Sequence, residues 1–83
     1  MILIVDDDNS VRVSLKLLLK RNGYEVTAVA SPAEAIAFVR SSRPDLVIMD
    51  MNYSRSTSGE EGITLLKQIK VFHPDVPVIL ITA

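Results

Sequence analysis

The apolar positions of this chain follow two rhythms that alternate along its length. "ILIV" (Ile2–Val5) is short, β-branched and apolar on both faces, the pattern of a central parallel strand. "YEVTAVA" (Tyr24–Ala30) alternates and predicts a second strand. "DLVIMD" (Asp45–Asp50) and "VPVILITA" (Val76–Ala83) predict a third and a fourth, both buried. Between them the spacing turns helical. Val11, Leu15, Leu18 and Leu19 form one stripe from Ser10 to Asn22, with Lys16, Lys20 and Arg21 outside it, and Asn22-Gly23 is the stop signal. Ser31-Pro32-Ala33-Glu34 is a capping box with proline at the first helical position; Ala35, Ile36 and Val39 then point inward up to about Ser42. A third stripe, Ile63, Leu66 and Ile69, runs from Gly62 to Phe72 and ends at His73-Pro74-Asp75. Asn52 to Gly59 is polar and predicts a loop. The order βαβαβαβ calls for right-handed crossovers and an α/β fold built on a doubly wound parallel sheet.

Composition narrows the class without changing the fold. Eighty-three residues are one small domain, of a size that buries only about 60% of its unfolded surface. The net charge of −1 gives no basic excess for nucleic acid. The absence of cysteine removes disulfides and thiolate metal sites. No apolar run reaches the length of a signal-peptide core or a membrane span, so a cytoplasmic protein without membrane contact is expected.

The chemistry lies where the strands end. Open α/β sheets carry their sites at the carboxyl ends of the strands. Here those ends hold Asp6, Asp7 and Asp8, then Asp50, then Thr82. Three adjacent like charges cost stability unless a cation or a chemical task offsets them. If the first and third strands are neighbours, Asp6, Asp7 and Asp50 converge. Clustered carboxylates with no thiolate partner favour a hard, oxygen-seeking cation such as Mg²⁺. Asp50 then reads as a nucleophile beside the metal and Thr82 as a hydroxyl that meets a new oxygen group, a constellation suited to phosphoryl transfer.

The stretches "ILIVDDDNSVR", "RPDLVIMDMN" and "GITLLKQIKVFHPDVPVILITA", with their spacing, resemble the receiver domain of two-component response regulators, nearest to NtrC-type transcription activators. The resemblance covers nearly the whole chain. It implies a flavodoxin-like sheet of order 2-1-3-4-5, with residues 1–83 as the N-terminal two-thirds of the domain, truncated after the fourth strand. It implies that Asp50 is the phosphoacceptor. Asp7 resembles the direct metal ligand, Asp6 the ligand acting mainly through water, and Asn52 the donor of a backbone carbonyl to Mg²⁺. Thr82 resembles the switch hydroxyl; Asp8 matches a variable position with no site role. The implied function is a regulatory phosphoacceptor rather than an enzyme in its own right. Its partners would be a histidine kinase or phosphotransfer protein and an output domain, DNA-binding in such regulators, outside this chain.

Two departures qualify the match. The family pattern D-x-x-M-P-x-x-x-G is replaced by "DMNYSRSTSGEEG", with Tyr53-Ser54 where Met-Pro is usual and a longer path to Gly62. The family also continues past Ala83 with a helix, a fifth strand ending in an essential lysine, and a final helix. Without them, the fourth strand and the strands Ile2–Val5 and Leu46–Met49 are expected to be bare. The isolated 83-residue chain is then expected to self-associate.

The same residues admit other readings. "DDDNSV" also fits a haloacid-dehalogenase-type phosphatase, with Asp6 as nucleophile, Asp8 as acid/base and Thr82 in a later motif. That reading gives Asp50 no purpose and requires a flap where the first helix already begins. A pseudo-receiver that binds a partner without phosphorylation fits the altered loop but not the intact acidic pair. Among single residues, Asp8 or Asn9 reads as a helix N-cap. His73 reads as a C-terminal cap, Glu60 and Glu61 as helix-start acids, and Tyr53 and Arg55 as solvent-facing loop residues.

Overall fold

The computed structural model describes residues 1–50 and 60–81. Its elements are β1 (Ile2–Val5), α1 (Asn9–Arg21), β2 (Val26–Val29), α2 (Pro32–Ser41), β3 (Leu46–Asp50), α3 (Glu60–Phe72) and β4 (Val78–Ile81). The strands are all parallel, in the order β2-β1-β3-β4. This is the expected doubly wound arrangement, with β1 and β3 side by side at its centre.

Strand alternation divides the core between two faces. Leu3 and Val5 of β1 and Val47 and Met49 of β3 point to one face. There they meet Ala35 and Val39 of α2 and Leu65 and Ile69 of α3, all buried. Ile2, Ile4 and Val26 point to the other, under Leu15 and Leu19 of α1. β1 is therefore buried on both faces, which explains its unbroken apolar run.

Each helix end has a physical cause. Asp8 is the N-cap of α1, its carboxylate accepting from the N–H groups of Ser10 at 2.8 Å and Val11 at 3.3 Å. The helix closes in a Schellman motif: Gly23 N–H reaches the Lys20 carbonyl and Tyr24 N–H the Leu19 carbonyl. Gly23 sits at φ +88°, where a Cβ would be strained. Ser31 Oγ accepts from Glu34 N–H at 3.2 Å, and the Glu34 carboxylate reaches back one residue further than a standard capping box, to Ala30 N–H at 2.6 Å.

Several boundaries and faces differ from expectation. β2 starts at Val26 rather than Tyr24, because Tyr24 N–H is used in terminating α1. β4 starts at Val78 rather than Val76; Val76 is buried in the preceding turn. α3 begins two residues earlier than predicted, at Glu60. Its inward stripe is Leu65, Leu66 and Ile69, while Ile63 is 42% exposed. In α1 only Leu15 and Leu19 of the predicted stripe pack on the sheet, and Leu18 is exposed. The bared strands are also redistributed. Ile2–Val5 is not bare, because α1 covers it; the exposure falls on Ile79, Leu80 and Ile81 of the edge strand β4, with Leu46 and Ile48 half-buried.

His73 caps a helix C-terminus, as expected, but the helix is α2 rather than its own. Its Nε2 lies 2.7 Å from the Val39 carbonyl and 3.1 Å from that of Ser42, so it carries the proton and joins the ends of α2 and α3. Lys70 Nζ donates to the Val76 carbonyl in the following turn. The Met1 ammonium pairs with the Asp45 carboxylate.

Candidate functional site

The three aspartates after β1 do three different things. Asp6 continues the ladder, its N–H donating to the Val29 carbonyl at 3.1 Å. Its side chain is buried, 3% exposed, and accepts from Asp8 N–H at 2.8 Å, which turns the chain out of the sheet. Asp8 is exposed and occupied in capping α1. Asp7, between them, is exposed at the sheet's carboxyl edge. Asp50 is the last residue of β3, one position beyond Met49, which pairs with Val5. Adjacent parallel strands thus deliver Asp6, Asp7 and Asp50 to one place, each offering a carboxylate oxygen within 4.8 Å of the other two.

Electrostatics makes this a costly arrangement. The Asp6 carboxyl is held above the usual carboxylate range. Burial is the main cause, followed by the opposing pull of the Asp8 N–H and then by repulsion from Asp50, Asp7 and Asp8. The donor set suits a divalent cation: all donors are hard oxygens, and opposite ligands of a Mg²⁺ ion stand about 4 Å apart. Small rotations of three carboxylates already within 4.8 Å satisfy that spacing.

Asn52, Thr82, Tyr53 and Arg55 lie outside the described residues. Thr82 directly follows Ile81, the register partner of Asp50. One residue at this edge escaped the sequence reading. Arg12, in the first turns of α1, donates through Nη1 to the main-chain carbonyl of Asp6 at 2.7 Å and through Nη2 to Asn9 Oδ1 at 3.2 Å. Its signal was a lone cation among the four residues, Asn9 to Arg12, that follow the acidic run.

The phosphatase alternative fails on this geometry. Its acid/base, Asp8, is tied to the N-terminus of α1, and α1 begins at Asn9 with no space for a flap.

Comparisons with known proteins agree. Sporulation initiation phosphotransferase F of Bacillus subtilis (strain 168) is 38% identical over 82 residues, covering 99% of this chain and 63% of that protein. The response regulator MprA of Mycolicibacterium vanbaalenii is 37% identical over 82 residues, which are 99% of this chain and 34% of that protein. The chain therefore spans less than two-thirds of the length of these relatives. Among solved structures, the response regulator TrrA of Thermotoga maritima, in complex with Mg²⁺-BeF, is similar with a TM-score of 0.84 at 33% identity, over 99% of this chain and 68% of that one. A CheY-like receiver domain from Methanospirillum hungatei JF-1 gives 0.87 at 32% identity, over 98% of this chain and 62% of that one. A family profile described as the response regulator receiver domain matches residues 2–83. With that match, and with the sheet order and the carboxylate cluster that its residues build, this chain belongs to the response regulator receiver domain family.

Proposed function

We propose that this chain is the phosphoacceptor part of a two-component regulator, with Asp50 receiving a phosphoryl group from a histidine kinase or phosphotransfer protein. The observation that carries the reading is the convergence of the Asp6, Asp7 and Asp50 carboxylates at the carboxyl ends of β1 and β3. Asp6, Asp7 and Asp50, with the main-chain carbonyl of Asn52, would hold Mg²⁺. Bound there, the cation supplies positive charge that offsets the transferred group.

Asp50 ends β3 half-buried, one position beyond Met49, the register partner of Val5. One of its oxygens attacks phosphorus; an O–P bond forms as the P–N bond to the donor histidine breaks, and the bonding pair leaves with the imidazole nitrogen. Asp6, buried and hydrogen-bonded, keeps the turn closed, and Asp7 presents a second charged oxygen. The new phosphoryl group adds roughly −1.5 to −2 charge. Thr82, following the register partner of Asp50, is the hydroxyl proposed to bond it and pass the change to an output domain, DNA-binding in this reading. The protein acts as a cytoplasmic regulator rather than as an enzyme with a separate substrate. No described helix is long and apolar enough to cross a membrane. For the 83-residue chain alone, exposed Ile79, Leu80 and Ile81 on edge strand β4 support self-association.

The test is labelling of the full-length protein with acetyl phosphate and Mg²⁺. The wild type takes up the label and Asp50→Asn does not. Equal labelling of the two overturns the assignment.

A further inference from the structure

The Asp6–Asp7 peptide joins two of the three clustered residues, and its orientation sets the backbone from which both carboxylates extend. Residue Asp6 is gripped at three atoms. Its N–H is held by the Val29 carbonyl, its carboxylate by the Asp8 N–H, and its carbonyl oxygen by the Arg12 guanidinium at 2.7 Å. The second contact closes a turn around the peptide that follows, and the third holds that peptide's own carbonyl. The guanidinium is itself fixed, because Nη2 rests on Asn9 Oδ1 and the Arg12 backbone N–H donates to the Asp8 carbonyl at 3.0 Å. Its planar fork is aimed at two uncharged oxygens, a carbonyl and an amide.

From this geometry we infer that Arg12 is a positioning residue. Through the main-chain carbonyl of Asp6, it sets the peptide that aims the Asp6 and Asp7 carboxylates at one cation. The inference rests on the proposed Mg²⁺ site. It makes Arg12 an outer partner of the ligand set, a kind of contact whose loss typically weakens metal binding about 10- to 100-fold.

The sign of the effect separates this role from simple electrostatics. A guanidinium beside a cation site repels the cation, so deleting it with the geometry unchanged tightens binding. Deleting a positioning group loosens it. The experiment is calorimetric titration of the full-length protein with Mg²⁺ alone, for wild type, Arg12→Ala, Arg12→Lys and, as a control on the site itself, Asp7→Ala. Arg12→Ala is expected to weaken Mg²⁺ binding at least tenfold. Arg12→Lys keeps the charge but cannot bridge two oxygens with a rigid fork, and is expected to fall between. In the metal-free Arg12→Ala protein, hydrogen exchange of the Asp8 amide, which donates to the Asp6 carboxylate, should quicken about tenfold or more.

Tighter or unchanged Mg²⁺ binding in Arg12→Ala overturns the positioning role while Asp7→Ala still loses binding. If Arg12→Ala does not fold, Arg12→Lys decides: with charge constant, a wild-type affinity overturns the inference and a loss supports it. A wild type that binds no Mg²⁺, or an Asp7→Ala that binds as well as wild type, overturns the site reading and this inference with it.

Discussion

The two ends of the sheet treat charge in opposite ways. At the amino ends of the strands, donors meet oxygen acceptors. The Met1 ammonium meets Asp45, Lys70 meets the Val76 carbonyl, and His73 donates to the end of α2. At the carboxyl ends, three carboxylates crowd within 4.8 Å and the buried one, Asp6, is held above its ordinary range. One end is arranged for stability, and the other carries a local cost that the proposed cation would offset. The unfavourable cluster is sustained because β1 and β3, between which it hangs, form the most deeply buried part of the sheet. Matched contacts at the far end hold the helices that cover them.

The largest expected contrast comes from adding Mg²⁺. At about 100 times its dissociation constant, a ligand that binds only the folded state adds about 2.7 kcal/mol. Melting of the full-length protein should therefore rise with Mg²⁺, and Asp7→Ala should abolish the rise; an equal rise in that variant would place the cation elsewhere. Next is His73→Leu at the opposite end. It leaves the Val39 and Ser42 carbonyls without their donor, at a cost of about 1–3 kcal/mol, read as a lower urea midpoint with Mg²⁺ affinity unchanged. A change in affinity would show that the two ends are coupled.

Asp6→Asn has a smaller effect of opposite sign. The amide oxygen still accepts from Asp8 N–H, while the repelling charge is gone. The metal-free protein should be slightly more stable and bind Mg²⁺ less well. Loss of stability without metal would mean that the turn, rather than the charge, dominates at Asp6.

The smallest effect is in pH. Asp6 is raised in the folded state, so the fold holds its proton more tightly than the unfolded chain does. Its cost is full above the raised value and is relieved as pH falls towards 3.8, the unshifted value. Asp45 is lowered, first by its hydrogen bond to the Met1 ammonium and then by that group's charge. Its contribution is present above 3.8 and lost as pH falls below it. In metal-free protein, acidification towards pH 4 should therefore flatten the loss of stability in wild type relative to Asp6→Asn. Parallel curves for the two would contradict the Asp6 shift.

Much of this was legible from residues alone, and the gaps have causes. The strands were visible because β1, buried on both faces, and β3, buried on one face and half-buried on the other, keep no polar alternation. Capping was visible in Ser31, Glu34 and Gly23, because those residue types act on their immediate neighbours. The inward faces were less legible. Leu18 and Ile63 have helical spacing with their stripes, yet the sheet contacts only a narrow strip of each helix, and Leu15, Leu19, Leu65 and Ile69 occupy it. His73 was identified as a cap, but which helix it served depended on how α2 and α3 lie together.

The sequence by itself determined the element order, the parallel sheet and the identity of the acidic residues, because each is written in local periodicity or in residue type at a strand end. Tertiary structure decided what the three adjacent aspartates do. Asp6 became buried and turned the chain, Asp7 stayed at the edge beside Asp50, and Asp8 went to α1. It also decided that Arg12 reaches back to the Asp6 carbonyl. Such contacts depend on the direction in which α1 leaves the sheet, which the packing of Leu15 and Leu19 on Ile2, Ile4 and Val26 sets. A side chain's partner across a turn is a matter of that direction, and no local pattern of residues encodes it.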